Sequence, residues 1–118
     1  MLREQKMIWI LHVDDDSSFL ALTKTFLELG NEVFSVDTTS SAEEGLERLK
    51  SSNYDVVLSD YQMPMMDGLE FLQKLREREN TIPFIIFTGR GREEVAIEAL
   101  NKGANRYPQK GVDIESMF

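Results

Sequence analysis

The chain has 118 residues, enough for one compact domain, and 42% of them are hydrophobic, which is sufficient for a buried core. It has no cysteine, which excludes disulfides and thiolate metal sites. It also has neither a signal-peptide pattern nor a run approaching the ~20 apolar residues that span a bilayer, so we expect a cytoplasmic protein. The net charge of −8 argues against direct nucleic-acid binding, which depends on clustered lysine and arginine, and favours cations or basic partner surfaces.

Short β-rich runs alternate with helical patterns along the chain, which is typical of βαβ units and a parallel sheet. The first strand is predicted over Met7–Val13 and the first helix over Ser17–Leu29. The helix positions predicted to face the core are Phe19, Leu22, Phe26 and Leu29. Gly30 is expected to end this helix, because glycine readily adopts the left-handed conformation found at helix ends.

Capping patterns mark the starts of the next two helices. The second strand is predicted over residues 32–36, and the second helix begins near Ser41, since Ser41 and Glu44 have capping-box spacing. The third strand is predicted over Asp55–Ser59, and Asp67 and Glu70 repeat the capping-box spacing before the third helix. The apolar positions of these helices are Ala42, Leu46 and Leu49 in the second and Leu69, Leu72 and Leu75 in the third.

The last predicted elements are a strand over Phe84–Phe87, a helix over about Glu93–Lys102 that ends at Gly103, and a short strand over Arg106–Pro108. The first, third and fourth strands are almost continuously apolar, as strands covered on both faces are. The second strand alternates, and the fifth contains Pro108, which cannot donate a ladder hydrogen bond. The second and fifth strands are therefore predicted to be the edges of the sheet.

Polar side chains follow four of the predicted strands. Asp14, Asp15 and Asp16 follow the first, Asp60 follows the third, Thr88 follows the fourth and Lys110 follows the fifth. In open α/β sheets, ligands bind outside the carboxyl ends of the strands, so these groups are expected to share one rim. Carboxylate oxygens suit Mg²⁺, and a carboxylate can also act as a nucleophile toward phosphorus.

These residues resemble those of response-regulator receiver domains, the phosphoacceptor modules of two-component signal transduction. The resemblance rests on "VDDD", "LSDYQMPMMDG", "FTG" and Lys110, and it runs from about Ile8 to Lys110. It implies a flavodoxin-like, doubly wound α/β fold with three α/β/α layers. The implied sheet has five parallel strands in the order 2-1-3-4-5.

The resemblance also implies a chemistry, in which Asp60 is the phosphoacceptor. Asp14, Asp15, Asp60 and the backbone carbonyl of Gln62 would hold Mg²⁺. Thr88 and Lys110 would contact the phosphoryl group, and Tyr107 would be the aromatic residue that changes position when Thr88 moves.

The implied donor is a sensor histidine kinase or a phosphotransfer protein, and the implied reader is an attached or separate output domain. By this resemblance, the domain catalyses its own phosphorylation and hydrolysis without being a turnover enzyme. No nucleic acid or membrane is expected as a direct partner.

The sequence departs from the family pattern in two places. Gly111 stands where most receivers have proline, and the chain stops at Phe118, where the fifth helix of the family would begin. We therefore expect residues 1–118 to form one receiver domain with a missing or truncated fifth helix, as a fragment of a longer polypeptide. The uncovered surface beside the first helix would favour association, including a homodimer.

Other readings of the same residues have to be weighed. The aspartate triplet could simply cap the first helix, which is the role expected of Asp16. A haloacid-dehalogenase-like phosphatase would use Asp14 as its nucleophile, but that reading leaves Asp60 unexplained. A receiver-like binding module that is never phosphorylated predicts the loss of an acceptor, a metal ligand or the lysine, and all are present. His12 lies inside an apolar strand and is predicted to be a packing residue.

Overall fold

The sheet forms as the alternating pattern predicts. The computed structural model describes residues 6–88, 94, 95, 98 and 101–105. Within these residues the elements are β1 (Ile8–Val13), α1 (Ser17–Gly30), β2 (Phe34–Thr39), α2 (Ala42–Ser51), β3 (Val56–Asp60), α3 (Gly68–Glu77) and β4 (Phe84–Phe87). The four described strands are parallel and lie in the order β2-β1-β3-β4, which confirms the first four positions of the predicted order and places β2 at an edge of this sheet. The fifth predicted strand, Arg106–Pro108, lies outside the described residues.

Helices cover the two faces of this sheet, giving the three layers of a flavodoxin-like fold. On one face, α2 and α3 bury an apolar cluster that includes Leu46, Phe71 and Leu72 against Leu11 and Val57. On the other face, α1 packs through Leu27 against a second cluster, which contains Ile10, Val36, Leu58 and Phe87. The strands β1 and β3 are buried on both faces, which explains why their sequences are continuously apolar.

The predicted caps start all three helices. Oδ1 of Asp16 accepts hydrogen bonds from the backbone N–H groups of Ser18 and Phe19 and so caps α1. Ser41 caps α2, and Asp67 forms the complete capping box with Glu70 that opens α3. These side chains satisfy N–H groups that have no partner within the helix, which fixes where each helix leaves the strand before it.

The predicted buried face of α1 is wrong at two positions. Leu22 and Leu29 are 57% and 83% exposed, whereas the residues facing the core are Leu20, Thr23 and Leu27. Phe19 and Phe26 lie at the margin of the buried face and are half-buried. The prediction that Gly30 is left-handed is also wrong: α1 continues through Gly30, and Asn31 ends it in an extended conformation.

The predicted bounds of β2 are also displaced. The strand begins at Phe34 rather than residue 32 and continues to Thr39. Asn31 accounts for the late start, because its side chain accepts a hydrogen bond from Val33 N–H and its carbonyl accepts one from Phe34 N–H. This turn follows α1 directly, so residues 31–33 connect the two elements instead of extending the strand.

A left-handed residue ends α3. Glu79 N–H donates to the carbonyl of Arg76, and Asn80 N–H donates to the carbonyl of Leu75, which together form a Schellman motif. Glu79 occupies the left-handed position of this motif with a φ of 61°. Glycine is the usual residue at this position, because it has no Cβ to clash with the backbone.

The Glu79→Gly variant is therefore expected to be more stable than the native chain. Relief of the left-handed strain outweighs the extra flexibility of glycine in the unfolded chain, for a net gain of about 0.5–1 kcal/mol in the free energy of unfolding. Urea unfolding followed by circular dichroism measures it. The matched control is Glu77→Gly, which removes the same side chain from the last residue of α3. Glycine there is expected to destabilise the protein by about 0.5–1 kcal/mol, so equal signs for the two variants would contradict this account.

The fourth predicted helix is seen in part. Residues 94, 95, 98 and 101 are helical, and Gly103 has the left-handed φ of 97° expected where that helix ends. Arg76 fixes this end, since its guanidinium donates to the carbonyls of Asn80, Ile82 and Gly103 at 2.8–2.9 Å. Burial lowers the pKa of the Arg76 guanidinium. Among the described helices, none combines the length and the apolar character needed to cross a membrane.

Candidate functional site

The carboxyl ends of β1 and β3 bring two of the predicted site aspartates side by side. Val13 and Ser59 are register partners on these neighbouring strands, and Asp14 and Asp60 each come one residue later. Asp14 is fully buried and Asp60 is 8% exposed. Both carboxylates therefore stand at the rim of the sheet in a largely dehydrated setting, where a nearby positive charge stabilises them more than it would in water.

The three adjacent aspartates have three different surroundings. Oδ1 of Asp14 accepts a hydrogen bond of 2.9 Å from Asp16 N–H, which turns the chain sharply after β1. Asp16 caps α1, as predicted. Asp15, between them, is exposed, and its side chain lines a surface cavity at the rim.

One oxygen from each of Asp14, Asp15 and Asp60 lies within 4.8 Å of the other two. A six-coordinate Mg²⁺ with bonds of about 2.1 Å places neighbouring ligands about 3 Å apart and opposite ligands about 4.2 Å apart. The three oxygens are close enough to share one such ion after small side-chain adjustments. Three like charges at this distance also repel one another, and a divalent cation is the natural way to offset that repulsion.

The start of α3 is packed against the backbone of Asp60. Gly68 N–H donates to the carbonyl of Tyr61 at 2.8 Å, and Ser59 Oγ donates to the carbonyl of Asp60 at 3.0 Å. A Cβ built on Gly68 would lie 2.4 Å from that same Asp60 carbonyl oxygen. Only glycine fits here, so the residue between Asp67 and Leu69 sets how closely α3 approaches β3.

The loop between β3 and α3 contains a strained turn. Met66 N–H donates to the carbonyl of Pro64, and Met65 between them has a φ of 73°, which defines the rarer, positive-φ form of the γ-turn. Met65 is 92% exposed. Beside this turn lies a cavity of about 460 Å³, which is lined by Asp15, Tyr61, Gln62, Met63, Pro64 and Asp67.

Thr88 lies beside Asp60, on the neighbouring strand β4. Asp60 and Phe87 are register partners in β3 and β4, and Thr88 follows Phe87 directly with a side chain that is only 2% exposed. Phe87 also packs in a triangle of rings with His12 and Phe19, whose centroids are 5.5–5.9 Å apart. His12 is fully buried, which confirms that it is a packing residue.

The structure thus brings together Asp14, Asp15 and Asp60 and places Gln62 and Thr88 nearby. Lys110 and Tyr107 lie outside the described residues, as does Gly111. The sequence prediction assigned no role to Gly68, and it took Met65 for a residue packed in the loop, whereas Met65 is 92% exposed. The Asp67–Glu70 capping box places Gly68 at the first position of a helix, but sequence patterns do not show how close another strand lies. Nothing in the sequence marks Met65, since methionine is not a residue that positive φ favours.

A parallel α/β sheet with an acidic cluster at the carboxyl ends of its first and third strands defines the class of open α/β domains that bind ligands at this rim. The family model of the response regulator receiver domain matches residues 10–118. The chain therefore belongs to the response regulator receiver domain family, the signalling domains of two-component response regulators. The unphosphorylated binding module and the phosphatase are not favoured by this match.

Relatives and solved structures agree with this assignment. The chain is 33% identical over 112 residues to the response regulator ArlR of Staphylococcus aureus, covering 95% of this chain and 50% of that protein. It thus spans about half the length of the ArlR proteins that it matches. Its fold is similar to a receiver domain protein from Clostridium thermocellum, with 34% identity, a TM-score of 0.84, and coverage of 94% of this chain and 88% of that one. A CheY-like receiver from Methanospirillum hungatei gives 31% identity, a TM-score of 0.85, and coverage of 95% and 88%.

Proposed function

We propose that Asp60 accepts a phosphoryl group from the phosphohistidine of a sensor histidine kinase or a phosphotransfer protein. The observation that carries this proposal is the clustering of Asp14, Asp15 and Asp60 oxygens within 4.8 Å, with Asp60 at the end of a central strand. An oxygen of Asp60 attacks phosphorus, the phosphorus–nitrogen bond breaks, and the imidazole leaves with the bonding electron pair. Its other ring nitrogen carries the proton, so the departing ring is neutral.

The neighbouring residues have distinct parts in this transfer. Asp14 and Asp15, together with Asp60 and the backbone carbonyl of Gln62, would hold Mg²⁺. When bound, that ion would neutralise charge on the phosphoryl oxygens. The hydroxyl of Thr88 would donate to a phosphoryl oxygen, and Lys110 would pair with the same group. The buried setting of Asp14 and Thr88 keeps these groups oriented before the donor arrives.

Phosphorylation would then shift an existing conformational equilibrium rather than create a new fold. Thr88 would move toward the phosphoryl group, and Tyr107 would change position with it. An attached or separate output domain would recognise the altered surface. The ArlR proteins, twice as long as the matched region, support an arrangement with a further domain. We further propose that the domain acts in the cytoplasm and turns over no free substrate, its only chemistry being phosphorylation and hydrolysis at Asp60.

The test is to incubate the protein with acetyl phosphate and Mg²⁺ and to record its intact mass. We expect the mass to rise by one phosphoryl group, and peptide mapping after reductive trapping with borohydride to place the label on Asp60. Chelation of Mg²⁺ with EDTA before the donor is added should prevent the increase. An unchanged mass, or labelling that EDTA leaves intact, would contradict the proposal. Steady release of phosphate from many small esters would indicate a phosphatase instead.

A further inference from the structure

Among the described strands, β2 lies at an edge of the sheet, with β1 as its only neighbour. Ile8 N–H donates to the carbonyl of Val33, and Asp14 N–H donates to the carbonyl of Thr39. Peptide groups alternate in direction along a strand, so the odd-numbered residues of β2 face β1 and the even-numbered ones turn away from the sheet. The backbone of Phe34, Val36 and Thr38 therefore points outward. Such a row of outward N–H and C=O groups is a template on which another strand can pair.

Two side chains of α1 form hydrogen bonds with the outward N–H and C=O groups of Val36, the middle residue of this row. Val36 N–H donates to Oε2 of Glu28 at 2.9 Å, and Nζ of Lys24 donates to the carbonyl of Val36 at 2.6 Å. Lys24 and Glu28 are one helical turn apart and form an ion pair of 2.8 Å with each other. Together they reproduce the donor and acceptor that a neighbouring strand would supply.

The hydrogen bonds around Lys24 and Glu28 distinguish this pair from an ordinary surface ion pair. The hydrogen bond from Lys24 and then the one from Val36 N–H lower the pKa of the Glu28 carboxyl. The next outward donor, Phe34 N–H, also has a partner, since it donates to the carbonyl of Asn31. Val36 is itself a core residue, 1% exposed, so its peptide group cannot move away from the edge without disturbing the packing.

We propose that Lys24 and Glu28 form an edge lock, which fills the bonding positions of Val36 and so prevents β2 from pairing with β2 of a second copy of this chain. The second copy is the fitting partner, because two identical edges related by a twofold axis pair antiparallel and each offers the other the same outward groups. Opening the lock converts the edge into a dimerisation surface. This inference does not rest on the proposed function, since it involves no group at the acidic site.

Removal of the two side chains tests the lock. We compare the Lys24→Ala/Glu28→Ala double variant with Glu47→Ala/Lys50→Ala, which removes an exposed ion pair of 3.0 Å from α2 and leaves the net charge equally unchanged. Sedimentation velocity over a hundredfold concentration range gives the average mass. The lock variant is expected to self-associate at least tenfold more tightly than the native chain, and the control to match the native chain. Equal masses for the two variants would overturn the proposal.

A second measurement, amide hydrogen exchange in single variants, tests whether Glu28 protects β2. It does not require the double variant to fold. In Glu28→Ala at low concentration, exchange of the Val36 amide hydrogen is expected to accelerate at least tenfold, while amides of β1 and β3 keep their native rates. Glu28→Gln retains an acceptor oxygen and is expected to preserve most of the Val36 protection. If the Val36 amide hydrogen of Glu28→Ala exchanged at the native rate, the Glu28 carboxylate would not protect this edge, and the edge lock would be refuted.

Discussion

The Asp60→Asn protein is expected to gain no phosphoryl group from acetyl phosphate under conditions that label the native chain. An amide has no anionic oxygen with which to attack phosphorus. It also adds an N–H₂ group to a cluster whose oxygens lie within 4.8 Å of one another. Asparagine has the same shape as aspartate, so the change should leave the fold intact even though Asp60 is only 8% exposed and ends a central strand. Intact mass measures labelling, and urea unfolding checks that the variant folds.

The control for this variant is Asp67→Asn. Asp67 lies in the loop that follows β3 and caps α3 through its side chain, and asparagine caps helices as well as aspartate does. We expect this variant to be labelled to the native extent. If Asp60→Asn were still labelled while an additional Asp14→Asn change removed the label, the acceptor would be Asp14. The phosphatase-like reading of the triplet would then have to be reopened.

The Gly68→Ala variant is expected to lose both stability and labelling at Asp60. The added Cβ would lie 2.4 Å from the Asp60 carbonyl oxygen, 2.9 Å from Cδ1 of Ile86 and 3.1 Å from Cα of Tyr61. Two of these neighbours are backbone atoms, so α3 or the end of β3 must shift. Overpacking of this kind typically costs about 1–3 kcal/mol, and we expect a loss near the upper end of that range. The labelling rate should fall at least tenfold, since the shift moves Asp60, the proposed acceptor.

Gly30→Ala is the matched control for this change. It makes the same substitution in a helix, but a Cβ at Gly30 has no atom within 4 Å. Alanine there is expected to stabilise the protein by about 0.5–1 kcal/mol and to leave labelling unchanged. If Gly68→Ala were as stable as Gly30→Ala, the contact between α3 and the Asp60 backbone could not be as tight as the structure has it. Urea unfolding and intact mass are the two readouts.

The features that depend on near neighbours in the chain could be predicted from the sequence. Asp16, Ser41 and Asp67 cap their helices because a cap involves only the next three residues. The grouping of Asp14, Asp15 and Asp60 could also be predicted, since parallel strands place their carboxyl ends at one rim. The topology rule thus located the acidic cluster, while the roles of its members came from the family resemblance.

Features that depend on distant neighbours could not be predicted in the same way. Two stripes with helical spacing run along α1, one through Leu22 and Leu29 and the other through Leu20 and Leu27. The second stripe is buried, but it includes Thr23 and therefore looks less apolar. The orientation of α1 on the sheet determines which stripe is buried, and the spacing of apolar residues does not reveal that orientation. The close approach of Gly68 to Asp60 is a distance between elements and was missed for the same reason.

The aspartate triplet shows that position, not number, determines what a carboxylate does at this rim. One member ties its own turn, the next is exposed toward the cavity, and the third begins a helix. Deleting any one of the three leaves the same shortened sequence, with two acidic residues between Val13 and Ser17. In that shortened chain Ser17 would move into the capping position, so the two aspartates could keep their places only if α1 turned by one residue, about 100°, relative to the sheet. An insertion or deletion here is therefore far more damaging than its modest change in composition suggests.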